Sequence, residues 1–178
     1  NNVELVVSAE LVRDSARQAA PVIHKLRAKL PPLLKGYRTK ILDGNHLSAS
    51  EHRIEELRST WSAPLPGKIL VVLDQELMVA STVFLCEDGH AQERSLFDDV
   101  LPSVEPGDLW IADRNFFTIN FMIGIASRSS RFLILQHVTL KGELNGKRKM
   151  KRATSTAKVY EQKLHINDRS GKTLTLRR

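Results

Sequence analysis

Leu109-Trp110-Ile111-Ala112-Asp113-Arg114-Asn115-Phe116 is an apolar, strand-like run that stops at a carboxylate, with a helical pattern starting just behind it. That order places Asp113 at the carboxyl end of a strand. In open α/β sheets such ends are where ligands and metals bind. Lys40-Ile41-Leu42-Asp43-Gly44 sets a second carboxylate in the same surroundings. If the first strand lies beside the later one in parallel, Asp43 and Asp113 end side by side.

Upstream of this stretch, Glu105-Pro106-Gly107 is a turn, and residues 91–104 are helical, with Leu96, Val100 and Leu101 on one side. Lys68 to Asp74 is a continuous apolar run, the mark of a central strand, and residues 77–86 follow after only Gln75 and Glu76, which predicts an antiparallel hairpin. Glu87-Asp88-Gly89-His90 closes it as a turn. Tyr37 to Asp43 alternates as a first strand that Gly44 breaks, with Thr39, Ile41 and Asp43 on one face. Between these strands, Ser48 and Glu51 have capping-box spacing for a short helix to about Arg58, and Pro64-Leu65-Pro66-Gly67 is a turn. Residues 2–30 carry helical spacing interrupted at Pro21 and ended by Pro31-Pro32.

Downstream, Phe116 to Arg128 reads as a helix and Phe132 to His137 as a strand. The expected order is three antiparallel strands, then helix, strand, helix and strand, a mixed α/β pattern. Beyond His137, Thr, Val, Leu and Ile alternate with charge, and turn signals stand at Asn145-Gly146, Asn167-Asp168 and Ser170-Gly171. This is a basic β-hairpin or meander.

A length of 178 residues with 42% hydrophobic and 26% charged side chains suits a globular chain with a real core. No apolar run approaches the roughly 20 residues of a membrane helix, and the start lacks a secretory pattern, so the chain reads as soluble and intracellular, with no membrane partner. The lone Cys86 rules out an internal disulfide and a multi-cysteine zinc site, and reads as buried filler. The net charge of +7 is unevenly placed: residues 138–178 hold 12 Lys and Arg against 3 Asp and Glu, whereas residues 1–137 hold 15 against 17. A basic tail of this kind points to a polyanion such as nucleic acid, with a plain solvated surface as the bland alternative.

Two aspartates at strand ends are the ligand type that Mg²⁺ prefers, and a pair of ions roughly 4 Å apart can activate an attacking oxygen and stabilise a leaving one. Spacing alone equally allows each Asp to cap a following helix, as Asp113 would for residues 114–128. Asp74 is read as a hairpin turn residue at the other end of the sheet. His46, His52 and His90 have no zinc-binding partners at useful spacing. Neither a phosphate-cradling glycine loop nor a nucleophile elbow is present. Lys147-Arg148-Lys149 with Lys151 and Arg152 is the densest cationic run; on a β-arm it would grip a phosphate backbone with strong salt dependence and little sequence reading, and a solvated loop tip is the bland alternative.

Ile41-Leu42-Asp43-Gly44-Asn45 and Ile111-Ala112-Asp113-Arg114-Asn115-Phe116, supported by Glu87 to Arg94 and Val104 to Asp108, resemble the catalytic region of bacterial insertion-sequence DDE transposases. The likeness is to the branch with a ribonuclease H-like core and a β-rich insertion, and it spans roughly residues 37–178. It implies a division into a helical linker or N-terminal flank (1–36), a ribonuclease H-like core (37–137) and the start of a basic β-rich insertion (138–178). It also implies Asp43 and Asp113 as catalytic ligands of two Mg²⁺ or Mn²⁺ ions. Arg114, Lys147, Arg148, Lys149, Lys151 and Arg152 would contact double-stranded DNA, both transposon ends and target.

The implied chemistry is hydrolysis at a transposon end, then attack of the freed 3′-hydroxyl on target DNA, carried out in the bacterial cytoplasm by a homodimer. The family's third ligand is a Glu within a Tyr-x-x-Arg-x-x-x-Glu-x-x-x-x-x-x-Lys signature. Tyr160 is followed three residues later by Lys163, and Glu143 and Glu161 lack the flanking pattern. The resemblance therefore implies a fragment that stops inside the insertion and is at most feebly active. Rival expectations are a non-catalytic DNA-binding or assembly remnant and a nuclease on the same fold.

Overall fold

The computed structural model describes residues 2–27, 33–46, 68–86, 92–137 and 142–178. The helix expected after Ser48, the turns at Pro64-Gly67 and Glu87-His90, and the helix end at Pro31-Pro32 lie outside them. Helix α1 spans Asn2–Arg27, with Pro21 inside it. The first sheet contains β1 (Arg38–His46), β2 (Lys68–Asp74), β3 (Val79–Cys86), β4 (Asp108–Ala112) and β5 (Arg131–Ile134) in the order β3-β2-β1-β4-β5. β1 pairs antiparallel with β2 and β2 with β3, whereas β1–β4 and β4–β5 are parallel. The parallel pairs need crossovers, and the segments between β3 and β4 and between β4 and β5 contain the helices that make them.

Strand alternation sorts the side chains of this sheet. Leu42, Leu70, Val72, Phe84 and Trp110 point to one face and join Leu96, Phe97, Val100, Phe116, Phe121 and Ile125 in the main core. The rings of Phe97 and Phe121 stack at 4.4 Å between centroids, and Phe97 meets Phe116 at 5.6 Å. α1 rests on β3, where Ala16 is buried and the Arg13 guanidinium lies 6.0 Å from the Phe84 ring centre. Cys86 is buried in the main core, as expected of filler. No helix among the described residues is long and apolar enough to cross a membrane.

Several boundaries differ from the sequence expectation. β1 does not stop at Gly44: it continues to His46 because β2 keeps pairing with it, Asn45 with Ile69 and His46 with Lys68. The β2–β3 turn takes four residues, 75–78, since the Asp74 carboxylate accepts the N–H groups of Glu76 and Leu77 and Met78 adopts φ +56°. The helix expected over 91–104 is a broken rod: a 3₁₀ turn at Glu93–Leu96, α2 at Phe97–Val100 and a 3₁₀ turn at Leu101–Ser103, where Pro102 cannot donate to a longer helix. α3 starts at Ile119, later than expected, capped by the Thr118 hydroxyl, and ends at Ser127. β5 ends at Ile134, short of His137.

At the far end of the sheet, Arg38 ties the start of β1 to the turn before β4, reaching Glu105 at 2.7 Å, Asp108 at 3.0 Å and the Pro106 carbonyl at 3.3 Å. Gly107 sits at φ +86°, a conformation that suits only glycine, and its carbonyl accepts the N–H of Arg38.

The second sheet is antiparallel, β6 (Glu143–Ala153), β7 (Lys158–Asn167) and β8 (Thr173–Arg177). It docks on α3 through Leu164 and Ile166, which pack with Met122. The Asn167–Asp168 and Ser170–Gly171 turn is as expected: Asp168 accepts the N–H groups of Ser170 and Lys172, and Gly171 has φ +85°. Asn145-Gly146 is not a hairpin turn. Gly146, at φ +74°, makes a bulge within β6, and the strand reverses at 154–157, where Thr154 and Ala157 bond to each other.

Candidate functional site

The ladder between β1 and β4 pairs Leu42 with Ala112 as its last step. Asp43 and Asp113 are the next residues on each strand, so the parallel register sets them beside each other on the sheet face opposite Leu42 and Ala112. Neighbouring strands run about 4.8 Å apart. Both side chains are exposed. Asp43 accepts the Gly44 N–H at 2.9 Å, and Asp113 accepts the Asn115 N–H at 2.8 Å, each through one oxygen. Asp113 therefore caps the 3₁₀ turn Arg114–Phe116 and not the long helix, whose cap is Thr118.

Each carboxylate keeps a second oxygen with no described hydrogen bond. Two exposed, hard oxygen donors on adjacent strand ends suit a hard divalent cation such as Mg²⁺, as far as two ligands go. Among the described residues no group of three His, Cys, Asp or Glu side chains is arranged to hold a metal ion. Glu93 lies close by. A Cβ on Gly44 would stand 2.3 Å from Glu93 Oε1, so the Glu93 carboxylate lies against the bare backbone next to Asp43. Strand alternation turns position 44 to the core side and Asp43 away from it, which keeps Glu93 out of the pair.

Arg94, next in sequence, donates from Nε to the Asn115 carbonyl at 3.0 Å and braces the turn behind Asp113. Neither role has a local signal, because each joins residues far apart in the chain. Arg114 follows Asp113 directly and is exposed.

Asp74 is in a different place. It pairs with Lys40 across β1–β2 and its carboxylate bonds the Lys40 ammonium. Burial pushes this carboxyl up, but the Lys40 hydrogen bond, the Leu77 N–H, the Lys40 charge and the Glu76 N–H outweigh it and hold the group below its usual value. It caps the turn, as its position before the hairpin suggested, and it also forms a structural ion pair. His52 and His90 lie outside the described residues.

The remaining expected DNA contacts, Lys147, Arg148, Lys149, Lys151 and Arg152, lie along β6, a β-arm as expected. Every residue of β6 is exposed. Lys151 stands 3.8 Å from Glu161, which Arg177 also approaches at 3.8 Å. The Arg148 guanidinium lies over the Tyr160 ring, 4.1 Å from its centre. No family model, curated protein or solved structure matched this chain in comparisons with each.

Proposed function

We propose that this chain carries the metal-binding half of a DDE transposase catalytic site on a ribonuclease H-like core, with a basic β-rich insertion that binds double-stranded DNA. The observation that carries this reading is the parallel register of β1 and β4, which brings Asp43 and Asp113 to one edge of a sheet ordered β3-β2-β1-β4-β5. Asp43 and Asp113 would hold Mg²⁺ or Mn²⁺ through their free oxygens. Two such ions supply activation of the attacking oxygen and charge stabilisation of the leaving one during phosphodiester cleavage and strand transfer.

The chain's own residues do the positioning. The Gly44 and Asn115 N–H groups fix the carboxylate rotamers, Arg94 braces the loop beyond Asp113, and exposed Arg114 offers a cation to a phosphate beside the pair. The cations of β6 neutralise backbone phosphates farther along the duplex. A homodimer acting on paired transposon ends belongs to the same reading.

A second reading is a DNA-binding module without chemistry. Nicking of supercoiled DNA separates the two. The transposase reading expects Mg²⁺-dependent nicks that Asp113→Asn reduces at least tenfold; equal activity in both proteins removes Asp113 from the reaction. Strand-transfer products beyond nicks distinguish a transposase from a nuclease on the same fold.

A further inference from the structure

The N–H groups that fix the two aspartate rotamers belong to Gly44 and Asn115, and two consecutive residues of the β3–β4 crossover hold both. Arg94 donates from Nε to the Asn115 carbonyl at 3.0 Å, so the residue whose N–H reaches Asp113 is gripped from its other side. Glu93 sets its carboxylate against the bare Cα of Gly44. A Cβ there would meet Oε1 at 2.3 Å and Cδ at 2.6 Å, closer than packed atoms approach, so the fit requires glycine at position 44 unless Glu93 moves. No described hydrogen bond or ion pair holds that carboxylate, so shape, and not a bond, joins it to Gly44.

The turn that carries both residues is anchored from behind. Leu96 and Phe97 are buried in the main core, and the Phe97 ring meets Phe116, which closes the 3₁₀ turn after Asp113. Beyond Leu42 and Ala112 the β1–β4 ladder has no further rung, so the separation of Asp43 from Asp113 depends on what holds the chain past that point. Glu93 and Arg94 touch both sides of that gap. Mg²⁺ requires near-octahedral geometry with oxygens at about 2.0–2.1 Å, whereas Ca²⁺ accepts about 2.3–2.6 Å in a flexible shell. Carboxylates held at one separation can be matched to the smaller ion; carboxylates free to adjust serve either. Partners that orient metal ligands typically contribute about 10–100-fold in affinity.

On the metal-binding reading above, we propose that Glu93 and Arg94 are positioning residues that set the spacing of Asp43 and Asp113 and so select Mg²⁺ or Mn²⁺ over Ca²⁺. Charge and position predict opposite outcomes at Arg94. Removing a cation beside two carboxylates would by charge alone tighten the binding of a divalent ion, whereas loss of the brace weakens it. Mn²⁺ bound to the full chain, measured by electron paramagnetic resonance with and without competing Ca²⁺, tests this. Arg94→Ala should weaken Mn²⁺ binding about tenfold and Ca²⁺ binding less. Gly44→Ala, which pushes Glu93 aside and changes no charge, should act in the same direction. Glu93→Gln, which keeps the shape, should leave the preference for Mn²⁺ over Ca²⁺ unchanged.

In the metal-free chain Arg94→Ala should speed amide exchange at Asn115 while exchange in β1 and β4 and the urea midpoint stay as in the wild type, which separates positioning from a general loss of stability. Mn²⁺ binding that is unchanged or tightened in Arg94→Ala, or a Ca²⁺ affinity that falls equally, overturns the positioning role and leaves the metal reading standing. A wild-type chain that binds no Mn²⁺ overturns both.

Discussion

Asp74 and Lys40 give the residue scale its sharpest stability test, because both side chains are largely buried and bonded to each other. Lys40→Met leaves the carboxylate without its cation and should cost about 3 kcal/mol at neutral pH. The folded pKa of Asp74 lies below the roughly 3.9 of an unfolded aspartate. Its stabilisation is thus fully present above that unfolded value and is lost as pH falls through the folded one. Urea midpoints of the wild type and Lys40→Met should converge as pH falls from neutral through the folded pKa of Asp74; a constant gap would deny the pair its electrostatic origin. Gly107→Ala tests strain alone, since nothing lies within 4 Å of a Cβ there and φ is +86°. It should cost about 1–2 kcal/mol, read from the same midpoints.

At the scale of elements, the apolar runs at Lys68–Asp74 and Asp108–Ala112 announced their strands because both are core strands whose sequence is dominated by burial. Asp43 and Asp113 were readable from the same apolar runs, each lying where its strand opens to solvent, whereas Asp74 closes such a run and is buried against Lys40. Asn145-Gly146 misled, since a hairpin turn and a bulge both ask for a residue at positive φ and local sequence does not separate them. The true reversal at Thr154–Ala157 has neither Gly nor Asn and depends on the Thr154 hydroxyl accepting the Ala157 N–H. The broken rod over 93–103 hides in a helical pattern because Leu96, Phe97 and Val100 suit one face of either helix type. Contact of the second sheet with α3 was beyond reach, as Met122 meets Leu164 and Ile166 only through the tertiary fold. Ile166→Ala should therefore cost about 2–5 kcal/mol and speed amide exchange in β7 and β8 ahead of β1 and β4. Uniform acceleration across both sheets would mean that they open as one unit.

For the whole molecule, the charge division of the sequence becomes a division in space. The first sheet holds the aspartate pair and little net charge, and the second presents cations along an exposed edge strand. Duplex affinity should fall steeply with salt, and removing Lys147 and Lys149 together should reduce the slope of log affinity against log salt by nearly two. Both properties matter for phosphodiester chemistry only if the pair binds metal. Diffraction from crystals grown with Mn²⁺, recorded at the manganese absorption edge, addresses that directly. The proposed site requires anomalous density at ligand distance from a carboxylate oxygen of Asp43 and of Asp113 together. Carboxylates more than about 8 Å apart, too far to share ions about 4 Å from each other, or no manganese at either, would contradict it.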